Sequence, residues 1–431
     1  MGNFAFVLRL LLVAMSLATA WAVRGQFGHE HGAAWAGAIG VLAIVILSKR
    51  QDWLRRLPAI VALGAIGWGA GGMMSYGKVV GYAKSLDLLN VTYGLFGLFI
   101  IGALYGFIGG GLSSLALAST ESKKVKWASL ITQMVAGAYL IWGILIYQLE
   151  WLMTPPRSEL WAACLGAAMA LGWYAYRNAY HASFKTAMYS ALGAGFGFAF
   201  GNFLQVLGPY TGLEFNWWNV MEYSLGFFGG LGMAYGVFSS EWEESQVADN
   251  AANIIGWVFL IILLPLTNII QAFSYEKLLS RGKVLSPAEP EAFVQLEYIL
   301  SWGSLLLLGG FAFFYFKRSV LTQQDWSSKQ LLLLFVLYLG WYIFLSNIMG
   351  GIWLNGGGTK EYLYWANLVI ISLGLSYSFN WNKNYQPYGT SYSLCWRLAT
   401  TTILILFVLS LILVNTHGDL PGAQKRFVLW E

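Results

Sequence analysis

Charged side chains are scarce in this chain. Asp, Glu, Lys and Arg make up 10% of its 431 residues, against roughly 25% in an average soluble domain. That leaves too little polar surface to cover a water-facing globule of this length. Cysteine is almost missing: Cys164 and Cys395 both lie inside apolar runs, which excludes a disulfide framework and reads as helix packing. There are four histidines, and no cluster of His and Cys that would complete a metal site. Short alternating strand patterns are absent, which excludes a membrane β-barrel. There is no P-loop, no G-x-S-x-G elbow and no H-E-x-x-H helix, so neither ATP-driven transport nor those hydrolase chemistries are indicated. No cofactor and no metal are expected. The net charge of +5 is spread through loops, so nucleic acid is not an expected partner.

What the chain has is hydrophobicity, 58% of residues. It comes in runs near twenty residues, the length an α-helix needs to cross roughly 30 Å of hydrocarbon. The expected fold is all-α, a polytopic integral membrane protein whose principal partner is the lipid bilayer. About thirteen spans are predicted, centred on 5–22, 33–48, 58–75, 90–117, 127–148, 159–176, 187–206, 219–238, 252–272, 297–316, 330–350, 362–379 and 396–414. Arg9 followed by L-L-L-V-A-M-S-L-A-T-A also fits a secretory signal peptide.

An internal repeat favours keeping that first span. Residues 219–226 read N-V-M-E-Y-S-L-G and 367–374 read N-L-V-I-I-S-L-G, with Trp217 and Trp365 two residues before each Asn; 90–97 begins N-V-T-Y-G-L. A shift of 129 brings Gly64, Ala65, Ala70, Gly72 and Asn90 onto Gly193, Ala194, Ala199, Gly201 and Asn219. With one insertion, Tyr93, Leu95, Gly102, Tyr105 and Gly106 fall on Tyr223, Leu225, Gly232, Tyr235 and Gly236. The reading is three parallel four-helix repeats, 1–125, 126–248 and a diverged 249–390, plus one extra helix and tail in 391–431. Glycines every four residues (Gly102, Gly106, Gly110; Gly193, Gly197, Gly201) are the spacing that lets helix backbones approach in lipid.

Loops after the even-numbered spans hold thirteen Lys and Arg, those after the odd-numbered spans eight. The positive-inside rule then puts the N-terminus in the cytoplasm and the 24–32 loop outside the cytoplasmic (inner) membrane.

Few residues carry chemistry. R-G-Q-F-G-H-E-H-G, residues 24–32, gathers Arg24, His29, Glu30 and His31, a set able to bind a polar solute, move protons or, in an enzyme, act as base and anion clamp; an interfacial loop paired with headgroups is the plainer reading. Glu222 lies just inside a span, where an ionisable residue is costly. Asn202 and Gln205 share a helix face. The repeated Asn90, Asn219 and Asn367 read as helix N-caps, and the aromatic segments 209–218 and 353–365, with Glu214, Asn216, Asn355 and Glu361, as interfacial belts or sugar-like ligand contacts.

The substrate- or ion-binding candidates are therefore Arg24, His29, Glu30, Asn202, Gln205 and Glu222. The first functional expectation is a secondary transporter for a small polar, sugar-like solute. The alternatives are a membrane-embedded enzyme acting at the outer leaflet on a lipid-linked or sugar substrate, with His29 or His31 as base, or a structural subunit of a membrane complex. Nothing in the chain opposes a homo-oligomer.

Overall fold

A computed structural model describes residues 2–245, 249–321, 325–352, 359–380 and 391–427. Its longer helices, in chain order, are α1 Gly2–Arg24, α2 Glu30–Ser48, α3 Leu57–Gly71, α4 Leu88–Ala118, and α5 Trp127–Trp142 with a π-helical extension Gly143–Gln148. They continue as α6 Leu160–Arg177, α7 His181–Leu207, α8 Trp217–Phe238, α9 Asn250–Ala272 and α10 Tyr275–Leu285. α11 begins as Pro290–Ser304, loosens into a π turn at Leu305–Gly309 and resumes as Gly310–Leu321. The last three are α12 Ser328–Met349, α13 Thr359–Ser378 and α14 Tyr392–Thr416. The described residues contain no strand.

The chain is a multi-span α-helical membrane protein. Among the described residues nine helices are long and apolar enough to cross a membrane: α1, α2, α4, α5, α7, α9, α11, α12 and α14. The other four expected spans are helical too, but α3 covers only 15 residues, and α6, α8 and α13 do not reach the same apolarity and length together. Helix ends follow local chemistry. Asp87, Asn216 and Asp249 accept a backbone N–H at the starts of α4, α8 and α9, and Ser327 with Gln330 forms a reciprocal capping box on α12.

The chain divides into two compact units, 1–69 with 244–385, and 70–243 with 386–431. The first unit joins the N-terminal segment to residues 244–385, and the second joins the middle of the chain to its C-terminal segment.

The first unit holds α1, α2, most of α3, and α9 to α13. Aromatic side chains fill it. Trp35 of α2 stacks on Tyr342 and meets Trp341 edge-on, with ring centroids 4.6 and 5.4 Å apart. Trp21 of α1 meets Trp68 of α3 at 5.3 Å. Gly37 is where α2 accommodates Trp68: a Cβ there would lie 2.4 Å from the Trp68 Cβ. The π turns of α9 (Phe259–Leu263) and α11 lie side by side. Tyr338 donates its hydroxyl to the Leu260 carbonyl at 3.0 Å, supplying a partner where the ladder is irregular. At the far ends of α2 and α3, Asp52 accepts two bonds from Arg50 at 3.0 and 2.8 Å and lies 3.7 Å from Arg56. Burial lowers the Arg56 pKa, against the opposing pull of Asp52.

The second unit holds α4 to α8 and α14, with α7 at its centre. Its packing is backbone to backbone. A Cβ on Gly102 or Gly106 of α4 would lie 2.4 or 2.2 Å from the carbonyls of Ala194 and Ser190 of α7. On the α8 contact of α7, a Cβ on Gly193 would lie 2.1 Å from the Phe228 carbonyl oxygen, and one on Gly232 2.1 Å from that of Tyr189. Lipid tails provide no hydrophobic drive between helices, so this close approach, with its dispersion contacts, is what holds them. α5 is mostly exposed, with Leu130 buried, and meets α6 where Gly137 and Gly166 touch. α14 packs on α4 and α7 through Leu406, Leu409 and Leu413.

Candidate functional site

The first unit gathers polar groups at the end where α1 stops. Arg24 is the last residue of α1 and is buried, 1% exposed, with its guanidinium over the Trp21 ring at 5.0 Å. Its Nη1 lies 3.3 Å from His29 Nδ1; since guanidinium only donates, this contact requires the neutral imidazole nitrogen as acceptor. The segment between α1 and α2 is thus not a simple surface loop. Phe27 is buried, whereas His29 and Glu30 are exposed. Gly28 turns the chain at φ +90°, and a Cβ there would meet Gln271 Nε2 at 2.8 Å, so both backbone and space call for glycine.

Groups from the later helices meet this segment. Tyr342 donates to the Gly32 carbonyl at 3.0 Å, Tyr364 to the Ala22 carbonyl at 3.2 Å, and Asn268 to the His31 carbonyl at 3.3 Å. With its amide nitrogen toward Ser346, Gln26 donates to Ser346 Oγ at 3.0 Å and its oxygen accepts from Lys360 Nζ at 3.1 Å. Lys360 also pairs with Glu361 at 3.2 Å. His31 contributes its backbone here, not its imidazole.

Sequence reasoning missed Glu297. It sits in α11 with 0% exposure, on one face with Phe293, Val294, Ser301 and Ser304. Neither carboxylate oxygen has a hydrogen-bond partner among the described residues, and the same holds for Arg281 Nη1 on the adjoining α10. The two side chains sense each other beyond ion-pair distance: burial lowers the Arg281 pKa while the charge of Glu297 raises it. Ser304 leads deeper along that face and accepts from Trp341 Nε1 at 3.1 Å. The available signal was an i, i+4, i+7 row of Glu297, Ser301 and Ser304 in an otherwise apolar helix.

In the second unit Glu222 is 1% exposed on α8, and Tyr76 donates its hydroxyl to Glu222 Oε1 at 3.2 Å. Tyr76 in turn stands edge-on to Phe198 of α7, 4.9 Å between centroids. Asn202 Nδ2 donates to Gln205 Oε1 at 2.8 Å and lies 4.0 Å from Met221 Sδ, the neighbour of Glu222. Asn202 Oδ1 is buried without a partner among the described residues. So Arg24 and His29 come together in one unit, with Glu30 beside them on α2, and Asn202, Gln205 and Glu222 belong to the other.

Two polar residues turn out to be architectural. Glu159 is buried and accepts three N–H bonds, from Met153 and Thr154 of the backbone and from Trp161 Nε1, at 2.8, 2.7 and 2.8 Å. The repeated Asn does not cap its helix. Asp87 and Asn216 are the caps, and Asn90 and Asn219 stand three residues on, giving the N–H that the cap accepts. Asn90 also holds the C-terminal tail, accepting from the backbone N–H of Arg426 and Phe427. Asn367 lies well inside α13. Asn355 and the rest of 353–358 fall outside the described residues.

Among the described residues no group of three or more His, Cys, Asp or Glu is placed to hold a metal ion. No protein-family model, no curated protein and no solved structure matches this chain.

Proposed function

We propose that the protein is a secondary transporter for a small polar solute, with Glu222 and Glu297 as the acidic groups that couple an ion to its movement. One observation carries the reading: each compact unit holds a fully buried carboxylate in a helix of an apolar bundle, Glu222 at 1% and Glu297 at 0% exposure. Burying such a group costs several kcal/mol unless something offsets it, so its presence inside a membrane bundle points to function. Asn202 and Gln205 supply uncharged solute contacts, and Arg24 with His29 forms a polar entrance at the end of α1. In this reading about thirteen spans, in three parallel four-helix repeats plus α14, form the scaffold, with the N-terminus in the cytoplasm.

The test is uptake of a panel of labelled sugars and other small polar solutes into proteoliposomes. Wild type is expected to accumulate at least one of them, and Glu222→Gln to lower that accumulation at least tenfold. No uptake of any solute by a folded protein would sink the reading.

A second reading, an enzyme acting on a lipid-linked or sugar substrate, is favoured by one arrangement: Arg24 and His29 share their end of the unit with Gln26, Ser346 and Lys360. It predicts that His29→Ala abolishes turnover of a lipid-linked sugar and leaves solute uptake unchanged.

A further inference from the structure

In the second unit the chain that follows α14 runs back across the end of the bundle. Residues 417–427 form no helix and lie along the segment that precedes α4. Gln424 is at the centre of the contact: its backbone N–H donates to the Gly81 carbonyl at 3.0 Å, and its Oε1 accepts from Lys78 Nζ at 3.0 Å. Lys84 Nζ donates to the Pro421 carbonyl at 3.2 Å. Further on, the Asn90 side chain grips the backbone. It accepts from the N–H groups of Arg426 and Phe427 at 2.6 and 2.9 Å and donates to the Phe427 carbonyl at 2.9 Å. Arg426 Nη2 reaches the Leu152 carbonyl, ahead of α6, at 2.9 Å. The rings of Tyr82, Tyr93 and Phe427 follow one another edge-on, 5.6 and 5.4 Å between centroids.

The segment beneath covers Glu222. It is a short helix, Gly77–Tyr82, with Val79, Val80, Gly81 and Tyr82 buried. Tyr76, directly ahead of it and 3% exposed, is the residue whose hydroxyl reaches Glu222. Met73 and Gly77, on either side of Tyr76, are exposed, so this stretch stands between the buried carboxylate and the surroundings. Its two ends are held differently. Beyond the helix, α4 clasps the backbone: a Cβ on Gly94 would lie 2.6 Å from the Ala83 nitrogen. At Lys78 and Gly81 the hold comes from residues 417–427. A Cβ on Gly81 would lie 2.4 Å from Gln424 Cγ and 2.8 Å from the Gly422 carbonyl oxygen. Pro421, Gly422, Ala423 and Lys425 are themselves exposed.

We infer that residues 417–427 are a strap that closes this end of the second unit over the Tyr76–Glu222 pair, and that lifting the strap opens Glu222 to water and small ions. The strap is attached mainly by hydrogen bonds at the edge of the bundle, where water replaces a partner at little net cost. Segments held by exposed backbone bonds and few buried apolar contacts are the ones that open locally while the rest of a fold stays closed. The helices beneath, packed backbone to backbone through glycines, have no such freedom. Access to Glu222 is governed in this way whether or not the chain moves a solute.

The experiment labels Glu222 with a water-soluble carbodiimide and glycinamide in nanodiscs, where both faces are open, and reads the modified peptide by mass spectrometry. Amide hydrogen exchange over 77–91 is followed beside it. Glu222 is expected to label slowly in the full chain. Two variants lift the strap: a chain ended after Thr416, and Gly81→Leu, whose side chain meets Gln424 and Gly422 and leaves the chain complete. Each is expected to speed the labelling of Glu222 at least fivefold and to raise exchange over 77–91, with exchange in α7 and α8 unchanged. Where the shortened chain fails to fold, Gly81→Leu decides. Labelling at the wild-type rate in Gly81→Leu, or rapid labelling of Glu222 in the wild type, overturns the proposal.

Discussion

The two units use the same raw material, apolar helices, and hold it together differently. In the second unit α4, α7 and α8 touch through glycines, with carbonyls so near that added methyl groups would lie only 2.1–2.4 Å away at Gly106, Gly193, Gly232 and Gly102. In the first, large rings mediate many of the contacts, Trp35 against Tyr342, Trp21 against Trp68, beside a backbone approach at Gly256, where a Cβ would lie 2.6 Å from the Pro58 carbonyl, and two helices pass through π turns in mid-length. Backbone contact makes a stiff frame with little room for adjustment. Ring contact and irregular turns tolerate exchange, and they free backbone groups that side chains such as Tyr338 then satisfy. Glycine content alone therefore says little about how a bundle is held. What matters is whether the glycine faces a backbone or a side chain.

Substitution at glycines breaks this comparison most sharply. Gly106→Val in the second unit puts atoms into the Ser190 carbonyl and is expected to cost roughly 4 kcal/mol or more, judging from overpacked cores and lost helix contact. Gly340→Ala in the first unit meets only the Leu368 and Trp365 side chains, at 3.4 and 4.0 Å, and is expected to change stability by less than about 0.5 kcal/mol. Thermal unfolding in detergent, followed by size-exclusion chromatography, separates the two. Equal loss at both positions would remove the distinction.

Next in size is Glu159→Gln. The carboxylate accepts three N–H bonds at 2.7–2.8 Å in a buried turn. An amide nitrogen in place of one oxygen faces N–H groups it cannot accept from. The expected cost is about 2–3 kcal/mol, read as a lower midpoint in the same unfolding experiment, with α6 the first helix to lose protection from hydrogen exchange.

Smaller still is the cap of α4. Burial raises the Asp87 pKa, but the bonds from Asn90 and Ser85 win, and the net direction is down. A folded-state pKa below the unfolded one means a contribution present above the unfolded value, near 4, and lost as pH falls through the folded one. Asp87→Ala is expected to cost about 1 kcal/mol at pH 7. The gap to wild type should narrow as the buffer is taken below pH 4. An undiminished gap at acid pH would mean that the carboxylate charge contributes nothing to the cap.

Much of the fold was legible because a bilayer reduces the problem to runs of apolar residues, and each expected run coincides with a helix. The site was less so. Arg24 and His29 were visible as a dense polar segment, and their contact follows from five residues of separation across one turn. Glu297 was not, because in the letters it stands at the start of an expected span, where a carboxylate ordinarily reaches water. Only the packing of α10 and α12 on α11 buries it. The cap misreading has the same origin. Asp87 and Asn216 each lie three residues before the repeated Asn, outside the segment whose letters repeat. The division into units is least legible of all, since each unit joins two segments separated by more than 140 residues of chain.

We propose that both buried carboxylates, Glu222 and Glu297, couple an ion to solute movement. Gradient-driven accumulation and solute exchange, measured side by side in proteoliposomes under imposed proton or sodium gradients, test it most directly. Glu222→Gln and Glu297→Gln are each expected to lose accumulation at least tenfold and to retain exchange. Accumulation at the wild-type level in either variant would show that the carboxylate replaced couples nothing.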